Sequence, residues 1–103
     1  MSNPKAVIKL TKTMLDKAII DANNSVREFV KSYGVDFTKM KSGDRATLEA
    51  KFVDGTDTVI NLYRTNNARG DRRISIKGIK AQADVGNVVS IRKKGKGILI
   101  EIH

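Results

Sequence analysis

Residues 45 to 52 read Arg-Ala-Thr-Leu-Glu-Ala-Lys-Phe, a strict alternation with Ala46, Leu48, Ala50 and Phe52 on one side and Arg45, Thr47, Glu49 and Lys51 on the other. A helix cannot sort residues this way, whereas a strand does, because its successive side chains point to opposite faces. Asp54 and Gly55 supply a turn, predicted as type I′ because both residue types tolerate positive φ there. Residues 58 to 64 return with Ile60 and Leu62 inward. Residues 6 to 10, 73 to 76, 88 to 92 and 97 to 102 read as further short strands, the last with Ile98, Ile100 and Ile102 facing one way.

Helical spacing is confined to the front of the chain. Met14, Leu15, Ala18, Ile19 and Ala22 share one face, and Asn23 and Asn24 interrupt it. Ser25 followed by Glu28 reads as a capping box opening a second helix over residues 26 to 33, which buries Val26, Phe29 and Val30 and stops at Gly34. Five or six strands with so little helix predict an α+β chain whose sheet is strongly curved and mainly antiparallel, an open pseudobarrel, because a flat sheet would leave faces and edges bare. At 103 residues, the expectation is a single domain over residues 1–103.

Charge narrows the partner. The first 59 residues carry ten basic and eight acidic groups, the last 44 carry ten and three. The excess therefore belongs to the second half, interleaved with strand patterns and five glycines as on folded hairpins rather than in a disordered tail. Such a balance favours a polyanion, with charge that serves solubility alone as the plain alternative. There is no cysteine, and His103 is the only histidine, so thiolate and multi-histidine metal sites, disulfides, cysteine nucleophiles and histidine triads are excluded. No metal or cofactor is expected. Neither an apolar run long enough for a membrane nor an apolar leader in residues 1 to 10 is present, so a cytoplasmic location without membrane contact is the expectation.

One internal echo points to closure of the sheet. Gly43-Asp44 and Gly86-Asn87 each place a sharp Gly-Asp or Gly-Asn step just before a strand, hinting at pseudo-symmetry.

The stretch Leu62-Tyr63-Arg64-Thr65-Asn66-Asn67-Ala68-Arg69-Gly70, followed by Arg73-Ile74-Ser75-Ile76-Lys77-Gly78-Ile79 and Val85-Gly86-Asn87-Val88-Val89-Ser90-Ile91-Arg92, resembles the DNA-binding pseudobarrel domains. These are the plant B3 domain and the effector-binding domain of EcoRII-type restriction endonucleases. The resemblance spans about 45 residues, without the family's tryptophans, with Ile79 after the glycine and with Asn87 where Asp is usual. It implies a seven-stranded open barrel gripping duplex DNA by two arms. One arm would hold Asn66, Asn67 and Arg69, extended by Arg72 and Arg73; the other would lie near Lys9 and Lys12. A parent restriction protein is a further implied partner.

The residues fit such a role chemically. Arginine can offer two parallel donors to guanine or to phosphate, and asparagine can pair with the adenine edge, so Asn66, Asn67 and Arg69 hold a base-reading vocabulary. Arg72 and Arg73 fall on opposite faces of a strand. Lys77, Lys80, Arg92, Lys93, Lys94 and Lys96 suit phosphate contacts. Tyr63 is the only aromatic residue of the basic half, too few rings for stacking single-stranded bases, which favours double-stranded DNA.

Two other classes stay open. Glu49-Ala50-Lys51, with Asp36 or Asp44, carries the letters of a metal-dependent nuclease, although strand alternation gives Glu-x-Lys freely. A small phage or host regulator binding an acidic protein surface would use the same charge. The main expectation is DNA binding without catalysis.

Overall fold

The computed structural model describes residues 5–66, 70–95 and 97–103. They form seven strands, β1 (Lys5–Lys9), β2 (Ile20–Asp21), β3 (Arg45–Phe52), β4 (Asp57–Arg64), β5 (Arg72–Ile76), β6 (Val88–Lys94) and β7 (Gly97–Ile102), and three helices, α1 (Lys12–Lys17), α2 (Asn24–Lys31) and α3 (Ile79–Gln82). The strands make one sheet in the order β1-β6-β7-β3-β4-β5-β2. It is strongly curved into an open half-barrel, and every pairing is antiparallel except that of β3 with β7.

Its concave side holds the core. Ala50 and Phe52 of β3, Ile60 and Leu62 of β4, Ile74 and Ile76 of β5, Val89 and Ile91 of β6 and Ile98 and Ile100 of β7 are buried, as the alternation predicts. Helix α2 adds Val26, Phe29 and Val30 to the same cluster, and the Tyr33 ring lies tilted against Phe29 at 5.3 Å. Full burial of each such side chain stabilises by about 1.5–3 kcal/mol, so this α2 face holds the inside of the barrel together.

The front of the chain departs from expectation. Thr11 caps α1, its hydroxyl accepting from the Met14 amide at 3.2 Å, and Ala18 ends the helix in the left-handed region at φ 54. The helix expected to run on through Ala22 stops here, and Ile20–Asp21 pairs with β5 instead. Ile20 and Ala22 are buried and Asp21 exposed, a period of two hidden inside an apparent helical one. The Ser25–Glu28 capping box is not formed either. Asn23 Oδ1 caps α2 by accepting from the Val26 amide at 3.0 Å, so the helix starts two residues earlier than predicted. Ser25 is drawn away to the free edge of β1: its Oγ accepts from the Val7 amide at 3.1 Å, while Asn23 Nδ2 donates to the Val7 carbonyl at 3.0 Å. Two side chains thereby satisfy the backbone of an edge strand that has no strand on its outer side.

The β3–β4 connection is not the mirror-image turn either. Gly55, at φ 91, donates to the Phe52 carbonyl at 2.9 Å, and the Phe52 amide donates to the Thr56 carbonyl at 2.9 Å. Asp54 keeps negative φ, with its carboxylate accepting from the Thr56 amide, so the loop is a turn followed by a glycine bulge. After β5 the chain passes Gly78, at φ 81, into one turn of helix, α3.

The Gly-Asp echo is a repeated hydrogen-bond unit. Asp44 donates its amide to the Lys41 carbonyl and takes the Lys41 amide on its carboxylate at 2.8 Å; Asn87 does the same with Asp84 through its side-chain oxygen, at 2.7 Å. Gly43 and Asp44 exchange backbone bonds with Arg64 at the end of β4, and Gly86 and Asn87 exchange the corresponding bonds with Leu10 just past β1. The β3–β4 and β6–β1 pairs are therefore locked at equivalent ends by equivalent turns. No helix among the described residues is long and apolar enough to cross a membrane.

Candidate nucleic-acid interface

The pairing register lays out the convex face of β3, β4 and β5 in rows. Arg45, Tyr63 and Arg73 make one, Thr47, Asn61 and Ser75 the next, and Glu49 stands beside Val59 in the third. Lys77 joins that third row through its amide, which donates to the Val59 carbonyl. Asn61 Nδ2 donates to Ser75 Oγ at 3.3 Å, so the middle of this face is a platform of hydroxyl and amide groups.

The loop between β4 and β5 rises from the end of this platform, and its root is held on several sides. The Thr65 amide donates to the Asp71 carbonyl at 2.8 Å. Arg64 Nη1 reaches the Met40 carbonyl at 2.6 Å, while its guanidinium lies flat along Gly70. A Cβ built on Gly70 would stand 2.5 Å from Arg64 Nε, and Gly70 also has φ 59, so space and conformation both require glycine. On the platform side, Arg73 Nη2 donates to Asp71 at 3.1 Å and Arg73 Nε stands 3.7 Å from Asp21.

The residues proposed from sequence are thereby sorted. Asn66 is exposed in the loop, whereas Asn67 and Arg69, and Lys96 in the β6–β7 hairpin, lie outside the described residues. Arg72 and Arg73 diverge as alternation requires: Arg72 turns to the other side and donates to the Phe37 carbonyl at 3.4 Å, bordering a small pocket with Arg27, Lys31 and Asp36. In that pocket, hydrogen bonds from the Thr38 hydroxyl and amide hold the Asp36 carboxyl below its usual range. Lys77 and Lys94 both line one open groove of about 800 Å³ beside β3 and β7, together with Glu49, Lys51, Val59 and Leu99. Lys93 is exposed at the end of β6. Lys80 is drawn off to the end of α1, where it donates to the Asp16 carbonyl at 2.9 Å. Arg92 is paired with Glu101 on the β6–β7 face. Of the other arm, Lys9 is exposed on β1, and Lys12 forms an exposed pair with Asp16.

Arginine is thus mostly structural here. Arg27, Arg64, Arg72, Arg73 and Arg92 each have a partner within the chain, and Arg45 has none among the described residues. Sequence composition could not separate these roles, since each depends on a carbonyl or carboxylate brought close by folding. No motif announces the polar platform of Thr47, Asn61 and Ser75, although the alternation that sends Ile60 and Leu62 inward sends Asn61 outward.

Glu49 and Lys51 share the convex face, with Lys51 3.6 Å from Asp57. Asp36 caps the short turn Phe37–Lys39 and Asp44 closes the turn before β3. No group of three or more acidic or histidine residues stands together as metal ligands among the described residues. Compared with protein-family models, curated proteins and solved structures, the chain matches none of them.

Proposed function

We propose that this chain binds double-stranded DNA, without catalysis, on the convex face of β3, β4 and β5. The loop of residues 65–71 is the base-reading element, and Lys77 and Lys94 contact phosphate. One observation carries the reading: an Asn/Arg-rich loop is rooted by Arg64, Gly70 and Asp71 at the end of a polar platform that has hydroxyl and amide groups at its centre. A fixed root matters because a base contact gives specificity only if its donor is held in place before binding. The charge excess of the second half and the resemblance of residues 62–92 to DNA-binding pseudobarrel domains support the same reading.

In this arrangement Asn66, Asn67 and Arg69 reach base edges, while the lysines position the duplex through flexible point charges. Arg72 acts from behind, holding the start of β5, Arg73 holds the loop root from the platform side through Asp71, and Lys80 and Arg92 make no direct contact.

The test is a fluorescence titration of the chain against a random duplex, the matching single strand and heparin at two salt concentrations. The expected result is tightest binding to duplex, with log affinity falling against log salt by about 0.9 per phosphate contacted. Converting Arg69 to Ala is expected to relax preference at one or two base pairs at a cost of about 1–3 kcal/mol. Equal binding to all three polyanions, or none at moderate salt, would overturn the proposal and favour an acidic protein surface as partner.

A further inference from the structure

Strand β3 lies inside the sheet by strand order, yet one of its edges is open. Its even-numbered residues turn their backbone groups toward β4, as the Phe52–Thr56 and Arg64–Asp44 bonds show. The odd-numbered residues Arg45, Thr47, Glu49 and Lys51 therefore turn theirs toward β7. Parallel pairing with β7 covers only Lys51 and Phe52, and β7 itself begins at Gly97. On this side neither Arg45 nor Thr47 is paired with a strand among the described residues. The other edges are dealt with: β1 is covered by Asn23 and Ser25, and β2 is two residues long.

Two further features mark this edge. Ala46 and Leu48 point to the concave side but are only half-buried, unlike Ala50 and Phe52 on the same strand. On the convex side, Arg45 and Glu49 are exposed, and neither has a hydrogen bond or ion pair from its side chain among the described residues.

The segment Arg45-Ala46-Thr47-Leu48-Glu49 is complementary to itself when run antiparallel. With Thr47 opposite Thr47 of a second copy, Arg45 meets Glu49 and Glu49 meets Arg45, while Ala46 and Leu48 cover each other on the concave side. Residues that turn their backbone to the open edge then face one another, which is the condition for a hydrogen-bonded pair. A twofold interface needs this kind of self-complementarity. Shifting the register by two residues sets Arg45 opposite Thr47 and leaves Glu49 without its arginine, so the charges select one alignment. We propose that two copies of this chain pair through β3, antiparallel and centred on Thr47, making a sheet continuous across the dimer. Opposed charges directly across strands favour the pairing and like charges oppose it.

The experiment is mass determination of the full chain by analytical ultracentrifugation over a concentration series reaching about 1 mM, a deliberately wide range because five residues from each copy make a small interface. The wild-type chain is expected to approach twice its 11.4 kDa as concentration rises. R45E and E49R, each placing like charges opposite one another, are expected to hold the mass at the monomer value, and the double variant R45E/E49R to restore the dimer. Thr47→Pro is the control for folding, since it removes an amide that faces the open edge and not β4. It is expected to be monomeric with an unchanged circular dichroism spectrum. A wild-type chain that stays monomeric throughout, a folded Thr47→Pro variant that still dimerises, or single charge reversals that leave the dimer intact would each overturn the proposal. So would a folded double variant that remains monomeric.

Discussion

Gly70 and Arg64 depend on each other. The guanidinium occupies the space that a Cβ on Gly70 would take, and its bond to the Met40 carbonyl keeps it there. Gly70→Ala is expected to destabilise by about 1–2 kcal/mol from the left-handed backbone alone, with more if the Met40 bond breaks; urea unfolding gives the number. Ala18 is the opposite case, a non-glycine held at φ 54 to end α1. Ala18→Gly should raise stability by a few tenths to about 1 kcal/mol in the same assay, because the strained conformation costs glycine nothing. Asn23 serves three partners, the Val26 amide, the Ser25 hydroxyl and the Val7 carbonyl. Asn23→Ala is therefore expected to cost about 1–2 kcal/mol, whereas Glu28→Ala should be close to neutral. A large loss at Glu28 with none at Asn23 would restore the capping box and contradict the observed cap.

Among the strands and turns, the two Gly-Asp and Gly-Asn steps set where β3 and β6 begin. Asn87 carries the larger load, because its side chain also donates to the His103 carbonyl at 3.0 Å and ties the turn to the end of β7. Asp44→Asn keeps the oxygen that accepts the Lys41 amide and is expected to be tolerated. Asn87→Ala loses both side-chain bonds and should cost about 1–3 kcal/mol, read by thermal unfolding. The β3–β4 turn also has a pH dependence. Hydrogen bonds from Thr56 and Gln82 hold the Asp54 carboxyl below its usual range. A carboxyl whose folded pKa is depressed contributes stability above its unfolded pKa, and that contribution is lost as pH falls through the folded value. The Thr56 amide resonance should therefore move only in acid below the ordinary carboxylate range, and in the Asp54→Asn variant it should not move there at all.

Across the molecule, the arrangement of the strands decides which charges share a surface. Lys77 follows β5 and Lys94 ends β6, on strands well separated in the sheet order, yet both line one groove. If that groove binds phosphate, K77A/K94A should weaken binding to all duplexes evenly and flatten the salt slope by up to about 1.8, at roughly 0.9 for each phosphate no longer neutralised. Lys80→Ala and Arg92→Ala should leave the slope unchanged, because one side chain holds the end of α1 and the other holds Glu101. An equal loss of slope in all these variants would mean that the charge acts as a diffuse field rather than through a surface.

Strands and their faces follow from the order of residues alone. Alternation is local, so β3, β4 and β7 were legible to within a residue or so, and the repeated glycine steps announced two equivalent turns, whose partners Arg64 and Leu10 only the structure supplied. The curl of the sheet was legible too, since so little helix could not cover a flat one. Strands β1, β5 and β6 and the buried face of α2, Val26, Phe29 and Val30, were legible as well; much of the rest waited on folding, because it turned on partners distant in the chain. Ile20 became strand by pairing with Ile74, and Ser25 left its expected cap for the Val7 edge. Five arginines found carbonyls or carboxylates, while Arg45 was left without a partner on an open edge among the described residues. Propensity and spacing describe what a residue can do within a few neighbours, and which of those options is taken depends on the groups that folding brings to it.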